Sequence, residues 1–252
     1  MSKIGAETKI AGMSAPQQSF RLLRLFLPKK LQPWLRGLRK RWKLRSIKLD
    51  EPFRSVFPYV GASFPRQENL IRLSEYIEQR GIEGAVVECG VLDGGTAALM
   101  GYATKQSGRP IHLFDAWEGL PETTENDGEA SKKWVGQVVG SPKRVSEVMS
   151  KLGISSERIR IHRGWFADTF PTAKIEKIAL LHVDCDFYEP TALCLKRWYS
   201  HLSSGGYVQF DDYQMFQGCT KAVDEFLAGH PDIALQTFGH PERGGAFFIQ
   251  KP

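Results

Sequence analysis

From residue 65 onward, short apolar runs alternate with stretches whose apolar residues recur at helical spacing. Leu70, Ile71, Leu73, Tyr76 and Ile77 give Gln67 to Arg80 one buried face, and Gly81 ends that helix. Ala85 to Val91 reads as a strand and Gly94 to Thr104 as a helix. Pro110 to Ala116 is the next strand, followed by a helix over Pro142 to Leu152 and a strand over Arg158 to Gly164. Ile178 to Cys185 is a strand, Pro190 to Leu202 a helix, Gly206 to Asp211 a strand and Thr220 to Gly229 a helix. Two short strands, Ala234 to Phe238 and Ala246 to Gln250, close the chain around a Gly244-Gly245 turn. Strands separated by helical patterns predict an α/β fold with a doubly wound, mostly parallel sheet, and a terminal hairpin adds one antiparallel strand. Residues 117–140 break the pattern. They are rich in Gly and Glu and too long for a plain connection, which suits a functional loop or lid.

Two of the strands end in carboxylates. Leu180-Leu181-His182-Val183-Asp184-Cys185-Asp186-Phe187-Tyr188 is one, and Gly206-Tyr207-Val208-Gln209-Phe210-Asp211-Asp212-Tyr213 is the other. Ligands of open parallel sheets bind beyond the carboxyl ends of the strands. Asp184, Asp211 and Asp212 are therefore expected to meet around a divalent metal. Three carboxylates are hard oxygen ligands suited to Mg2+, and without a cation they would repel one another. Asp186, two residues on in an extended segment, is expected to project oppositely as a helix cap or supporting group. His182 reads as a core histidine. Tyr188 and Tyr213 are candidate substrate contacts, with packing the preferred role.

The first strand runs into Glu88-Cys89-Gly90-Val91-Leu92-Asp93-Gly94-Gly95-Thr96. Gly90 permits close approach of a ligand, and Gly94-Gly95 a tight turn into the helix. The spacing is neither the GxGxxG of dinucleotide enzymes nor a P-loop with its lysine, which leaves a nucleoside without phosphates. The second strand ends in Asp115-Ala116-Trp117, with an acid placed to accept hydrogen bonds from a ribose. The third ends in Gly164-Trp165-Phe166, two aromatics able to wall a purine. Candidate cofactor contacts are thus Glu88, Gly90, Gly94, Gly95, Thr96, Asp115, Trp117, Trp165 and Phe166.

Charge divides the chain. Residues 1–50 hold 13 Lys+Arg against Glu7 and Asp50, while the whole chain has a net charge of +6, so the remainder is acidic. Residues 1–17 read as disordered. Leu31, Trp34, Leu35, Leu38 and Trp42 approach helical spacing among six basic residues. Such a helix suits an anionic membrane surface through residues 18–49, or docking on its own domain or on a second copy in a homodimer. No nucleic-acid-binding motif accompanies the charge. The expected division is a basic extension at 1–50 and a catalytic domain at 51–252. With no long apolar run, no secretory pattern and no CxxC pair among four cysteines, the expected location is the cytoplasm, with thiols reduced, and peripheral on the inner membrane surface if the helix binds lipid.

The set VVECGVLDGGT, FDAWEGLPE, GWFADTFP, LHVDCDFYEPT and GGYVQFDDY resembles the macrocin-type O-methyltransferases over roughly residues 65–252. Members act on sugar hydroxyls of macrolide and aminocoumarin antibiotics. The resemblance implies a class I methyltransferase fold of seven strands, S-adenosylmethionine as methyl donor, and Mg2+ bound through three aspartates, here Asp184, Asp211 and Asp212, with Asp184 also the base. His182 stands where arginine is common, and Cys185 where glycine is common. The alternatives are a metal-dependent glycosyltransferase using Asp184 and Asp186 as a DxD motif, and a non-catalytic membrane-associated domain.

Overall fold

The structure, a computed structural model, describes residues 32–44 and 49–252. Residues 1–17, read as disordered, lie outside the described residues. Helix α1 (Gln32–Leu44) precedes a short helix α2 (Phe53–Val56) and α3 (Phe64–Gln79). The alternating region follows as β1 (Ala85–Cys89), α4 (Gly95–Ala103), β2 (Ile111–Asp115), α5 (Pro142–Lys151), β3 (Ile159–Arg163), α6 (Phe166–Thr169), β4 (Ile178–Val183), α7 (Tyr188–Trp198), β5 (Leu202–Phe210), α8 (Gln217–Ala228), β6 (Gln236–Phe238) and β7 (Ala246–Gln250).

The seven strands form one sheet in the order β3-β2-β1-β4-β5-β7-β6. Strands β1 to β5 pair in parallel, and β7 runs antiparallel to both β5 and β6. The chain winds outward from β1 through β2 to β3, then crosses back to β4 on the other side. The crevice at the carboxyl ends of β1 and β4 is the topological switch point of such a sheet.

Alternation along the strands builds two cores. Val86, Leu180, Tyr207 and Phe248 pack against Leu70, Leu73 and Ile77 of α3 and Val145 and Val148 of α5. Val87, Leu181, Val208 and Ile249 face the other way, against Leu195 and Trp198 of α7 and Val223 of α8. Helix α3 starts three residues earlier than its apolar pattern predicts. Pro65 sits in its first turn, where the missing N–H costs nothing. Strand β5 also starts earlier than expected, because main-chain pairing of Leu202 with Ile178 extends it across a register shift. Side-chain pattern carries no signal for that.

Helix α1 docks on the domain. Leu35 is buried, Arg36 donates to Asp93 at 3.0 Å and to the Val139 carbonyl at 2.8 Å, and Arg144 of α5 lies 3.1 Å from the same Asp93 carboxylate. Gly37 gives the Arg144 guanidinium its room: a Cβ there would overlap it. Trp34 and Leu38 stay exposed, at 60% and 42%. Among the described residues no helix is long and apolar enough to cross a membrane, and all four cysteines are free and buried.

Candidate active site

A cavity of about 550 Å³ opens at the carboxyl edge of the sheet. Its floor comes from the strand ends and the turns after them: Gly90, Asp115, Gly164, Asp184 and Asp211. Continued main-chain pairing fixes these positions. Asp184 N–H donates to the Cys89 carbonyl and Asp211 N–H to that of Val183, each at 2.9 Å. Gly90 has φ +89, and a Cβ on it would overlap the Asp184 carbonyl. The glycine thus lets β4 bring Asp184 to the edge. The 117–140 segment forms one wall through Gly119, Leu120, Pro121, Trp134 and Val138. It is anchored by the buried Asp127, whose carboxylate accepts from Tyr188 N–H at the start of α7 at 2.7 Å.

Asp115 is held by backbone N–H groups. Val91 and Leu92 donate to one oxygen at 2.8 Å each, and Trp117 to the other at 2.6 Å. Burial raises its pKa, and those donors oppose the rise. It faces the cavity with acceptor capacity left over. Trp165 and Phe166 line the same cavity, Phe166 stacked on Phe170 with ring centroids 4.8 Å apart.

The other candidate cofactor residues stand back from the cavity. Glu88 is fully buried and hydrogen-bonds His182. Gly94 and Gly95 admit neighbouring chain, since a Cβ would crowd Val145 and the Val60 backbone respectively. Thr96 is buried in α4. Trp117 donates its indole N–H to the Leu92 carbonyl at 2.8 Å, bracing the turn rather than lining the cavity. Tyr188 and Tyr213 hydrogen-bond Glu225 and Asp224, at 2.6 and 2.7 Å, on the surface of α8.

Asp184, Asp211 and Asp212 all line the cavity, and so does Asp186. The expected outward projection of Asp186 is therefore corrected. The strand ends at Val183, and φ +62 at Asp186 breaks the alternation and turns its side chain back. Its N–H donates to Asp212 at 2.9 Å. Crowding shows in the titration of these groups. Burial, then Asp211 and Asp212, push Asp184 well above the usual carboxylate range. Burial and Asp212 do the same to Asp186. Burial and Asp211 raise Asp212 to about 7.

Asp211 goes the other way. Burial opposes its ionisation, but His182 and Arg66 outweigh that and lower its pKa. Arg66 donates to its Oδ2 at 3.0 Å. His182 lies between Glu88 and Asp211, and although burial disfavours its charge the two carboxylates raise its pKa to about 9. Its Nδ1 is 2.7 Å from Glu88 Oε1. Neither Arg66 nor the role of His182 follows from the motifs, yet both left a trace in the pattern. Arg66 falls on the Leu70, Leu73, Ile77 stripe of α3, where a lone arginine has to find a buried partner. His182 has the parity of Asp184, not of the apolar Leu181 and Val183.

The carboxylate set fits a divalent cation. Oδ1 of Asp211 is buried without a hydrogen-bond partner among the described residues, and three further carboxylates crowd the same edge with raised pKa values. Hard oxygen donors in that number suit Mg2+ or a similar ion.

The macrocin O-methyltransferase family model matches residues 9–234. The chain belongs to the macrocin O-methyltransferase family. It is 34% identical over 171 residues to demethyldecarbamoylnovobiocin O-methyltransferase of Streptomyces niveus, covering 65% of each chain. It is 32% identical over 177 residues to mycinamicin III 3''-O-methyltransferase of Micromonospora griseorubida, covering 66% of this chain and 68% of the relative. The chain thus aligns with about two thirds of the length of these curated relatives. Among solved structures, the O-methyltransferase NovP superposes with a TM-score of 0.68 at 27% identity, covering 89% of this chain and 100% of NovP. The macrocin-family match begins well before residue 65, so it takes in α1. The sheet order is that of a class I methyltransferase fold.

Proposed function

We propose that this chain is an S-adenosylmethionine-dependent O-methyltransferase that methylates a hydroxyl of a sugar-bearing natural product, with a divalent cation such as Mg2+ at Asp184, Asp211 and Asp212. The observation that carries this reading is the cavity itself. Asp115, Trp165 and Phe166 line it after β2 and β3, and Asp184, Asp211 and Asp212 after β4 and β5, with β1 between in the sheet. Asp115, Trp165 and Phe166 would hold the nucleoside of a methyl donor. The family match, and relatives named for O-methylation of novobiocin, mycinamicin and rhamnosyl-tetracenomycin compounds, support the acceptor class. They also set aside the glycosyltransferase alternative for Asp184 and Asp186.

The residues of this chain have separate tasks. Asp115 accepts from the ribose hydroxyls, and Trp165 and Phe166 flank the adenine. Asp184, at the carboxylate edge of the cavity, takes the acceptor's hydroxyl proton as general base. Bound S-adenosylmethionine would supply the methyl group, its carbon–sulfur bond breaking as the acceptor oxygen bonds to that carbon and neutral S-adenosylhomocysteine leaves. The apolar walls formed by Leu92, Leu120, Pro121 and Phe216 exclude water from this transfer. Alignment of oxygen, carbon and sulfur is the main contribution, worth up to about 7–11 kcal/mol in favourable cases. A cation held by the aspartates supplies positive charge that eases ionisation of the acceptor hydroxyl.

We place the catalytic domain at 51–252 and the basic extension at 1–50, in a cytoplasmic protein. The exposed Trp34 and Leu38 beside Arg39 support a peripheral contact with anionic membrane. The test of the activity is calorimetry with S-adenosylmethionine and, separately, a nucleotide-sugar, followed by screening of glycosylated acceptors with labelled methyl donor. Tight binding of the methyl donor, and label transfer abolished by EDTA and restored by Mg2+, is expected. Binding of the nucleotide-sugar alone overturns the reading.

A further inference from the structure

We propose that His182 is itself a metal ligand, so that the centre is a nitrogen-plus-carboxylate site selecting a first-row divalent ion such as Mn2+ over Mg2+. This rests on the metal-assisted reading above and refines it.

Strand parity makes the first part of the case. His182 and Asp184 lie on the same face of β4, and Gln209 and Asp211 share that face at β5, since His182 pairs with Gln209 in the ladder. Asp212 has the opposite parity. One donor atom each from His182, Asp184 and Asp211 lies within 4.8 Å of the other two. Nε2 of His182 stands 3.5 Å from Oδ1 of Asp211. That is longer than an ordinary hydrogen bond, and neither of the two buried atoms has a hydrogen-bond partner among the described residues. It is, however, the spacing of two ligands on one ion, about 3.0–3.5 Å apart for bonds of ordinary length.

The other ring nitrogen makes the second part. Nδ1 faces Glu88 Oε1 at 2.7 Å, in the interior. A metal-bound histidine commonly donates its remaining N–H to a carboxylate, which fixes the tautomer and aims the free nitrogen at the ion. Glu88 and His182 are neighbours in the β1–β4 ladder, so the sheet itself sets this pair. An ion at this position takes the place of a proton on Nε2, which is released to solvent. Imidazole nitrogen suits later first-row ions such as Fe2+, Ni2+ or Zn2+, Mg2+ prefers oxygen throughout, and Mn2+ takes oxygen ligands but also accepts an imidazole.

The experiment loads the full-length protein with Mn2+ and records pulsed EPR, beside Mn2+ and Mg2+ titrations. Histidine-type 14N modulation is expected in the wild type, shifting to 15N frequencies when the protein is grown on 15N-histidine. Mn2+ should bind more tightly than Mg2+ by about tenfold or more, and His182→Gln should close that gap while leaving Mg2+ affinity little changed. The isotope arm needs no variant, so a poorly folding His182→Gln does not blunt the test. Mn2+ bound without nitrogen modulation overturns the histidine ligand and leaves the aspartate site standing. Failure of both ions to bind overturns the histidine ligand and the metal-assisted reading together.

Discussion

Arg66, near the start of α3, donates to Oδ2 of Asp211 at the end of β5 across 145 residues of sequence, and the pair is 5% exposed on each side. The arginine neutralises one carboxylate of the crowded edge and leaves its other oxygen free. Removing the cation strands a buried charge. Arg66→Met is expected to cost about 3–5 kcal/mol in urea unfolding, while Arg66→Met combined with Asp211→Leu recovers much of the loss. A surface-like cost below about 1 kcal/mol for the single variant contradicts the pair's importance.

Gly90 is required by chain packing as well as by the cavity. Gly90→Ala sets a Cβ against the Asp184 carbonyl and strains a residue at φ +89. The expected cost is about 3 kcal/mol or more, together with loss of methyl transfer because Asp184 must shift. A thermal melt matching the wild type refutes this account of the glycine.

The two sides of the cavity should separate in kinetics. Asp184→Asn is expected to abolish transfer while leaving S-adenosylmethionine affinity nearly intact. Asp115→Ala should weaken that affinity and also loosen the turn whose Val91 and Leu92 N–H groups it accepts. Isothermal titration of both variants with the methyl donor decides between these patterns. Equal loss of affinity in both argues against the assignment of sides.

Stability should fall in mild acid through a histidine pair at the sheet's far edge. Nδ1 of His112 lies 3.0 Å from Nε2 of His162, an arrangement that holds one proton between two rings. Burial, then His162 and Arg160, push His112 down from 6.5 to about 4. Between those values the unfolded chain binds more protons than the folded one, so this contribution is intact above pH 6.5 and declines as pH falls toward about 4. His112→Gln is expected to flatten the fall in Tm between about pH 7 and about pH 5. An unchanged slope removes the pair as its source.

Trp34 and Leu38 remain exposed on a helix that docks through Leu35 and Arg36. Replacing both by serine should weaken sedimentation with anionic liposomes and leave neutral liposomes and methyl transfer unaffected. Equal sedimentation of variant and wild type disposes of the membrane contact.

Much of this protein is legible in the order of its residues. Apolar runs separated by helical stripes determine the succession of elements, because burying one face of a strand or helix demands a fixed period. Glycine-rich turns and terminal aspartates then point to the carboxyl edge of a parallel sheet, where Asp115, Asp184, Asp211 and Asp212 do line one cavity. The roles within that edge are another matter. Glu88, Gly94, Gly95, Thr96 and Trp117 carry the same motifs but do not line that cavity, and motif spacing does not show which residues of a turn reach it. Asp186 faces the cavity because a single positive φ overrides strand alternation. His182 acquires its charge state only when distant segments enclose it away from water, where the carboxylates of Glu88 and Asp211 outweigh the cost of burial. The sequence by itself determined the sheet and the acidic edge; which acids stay charged, and which nitrogen faces them, was decided by the tertiary packing of α3 and β1 against β4 and β5.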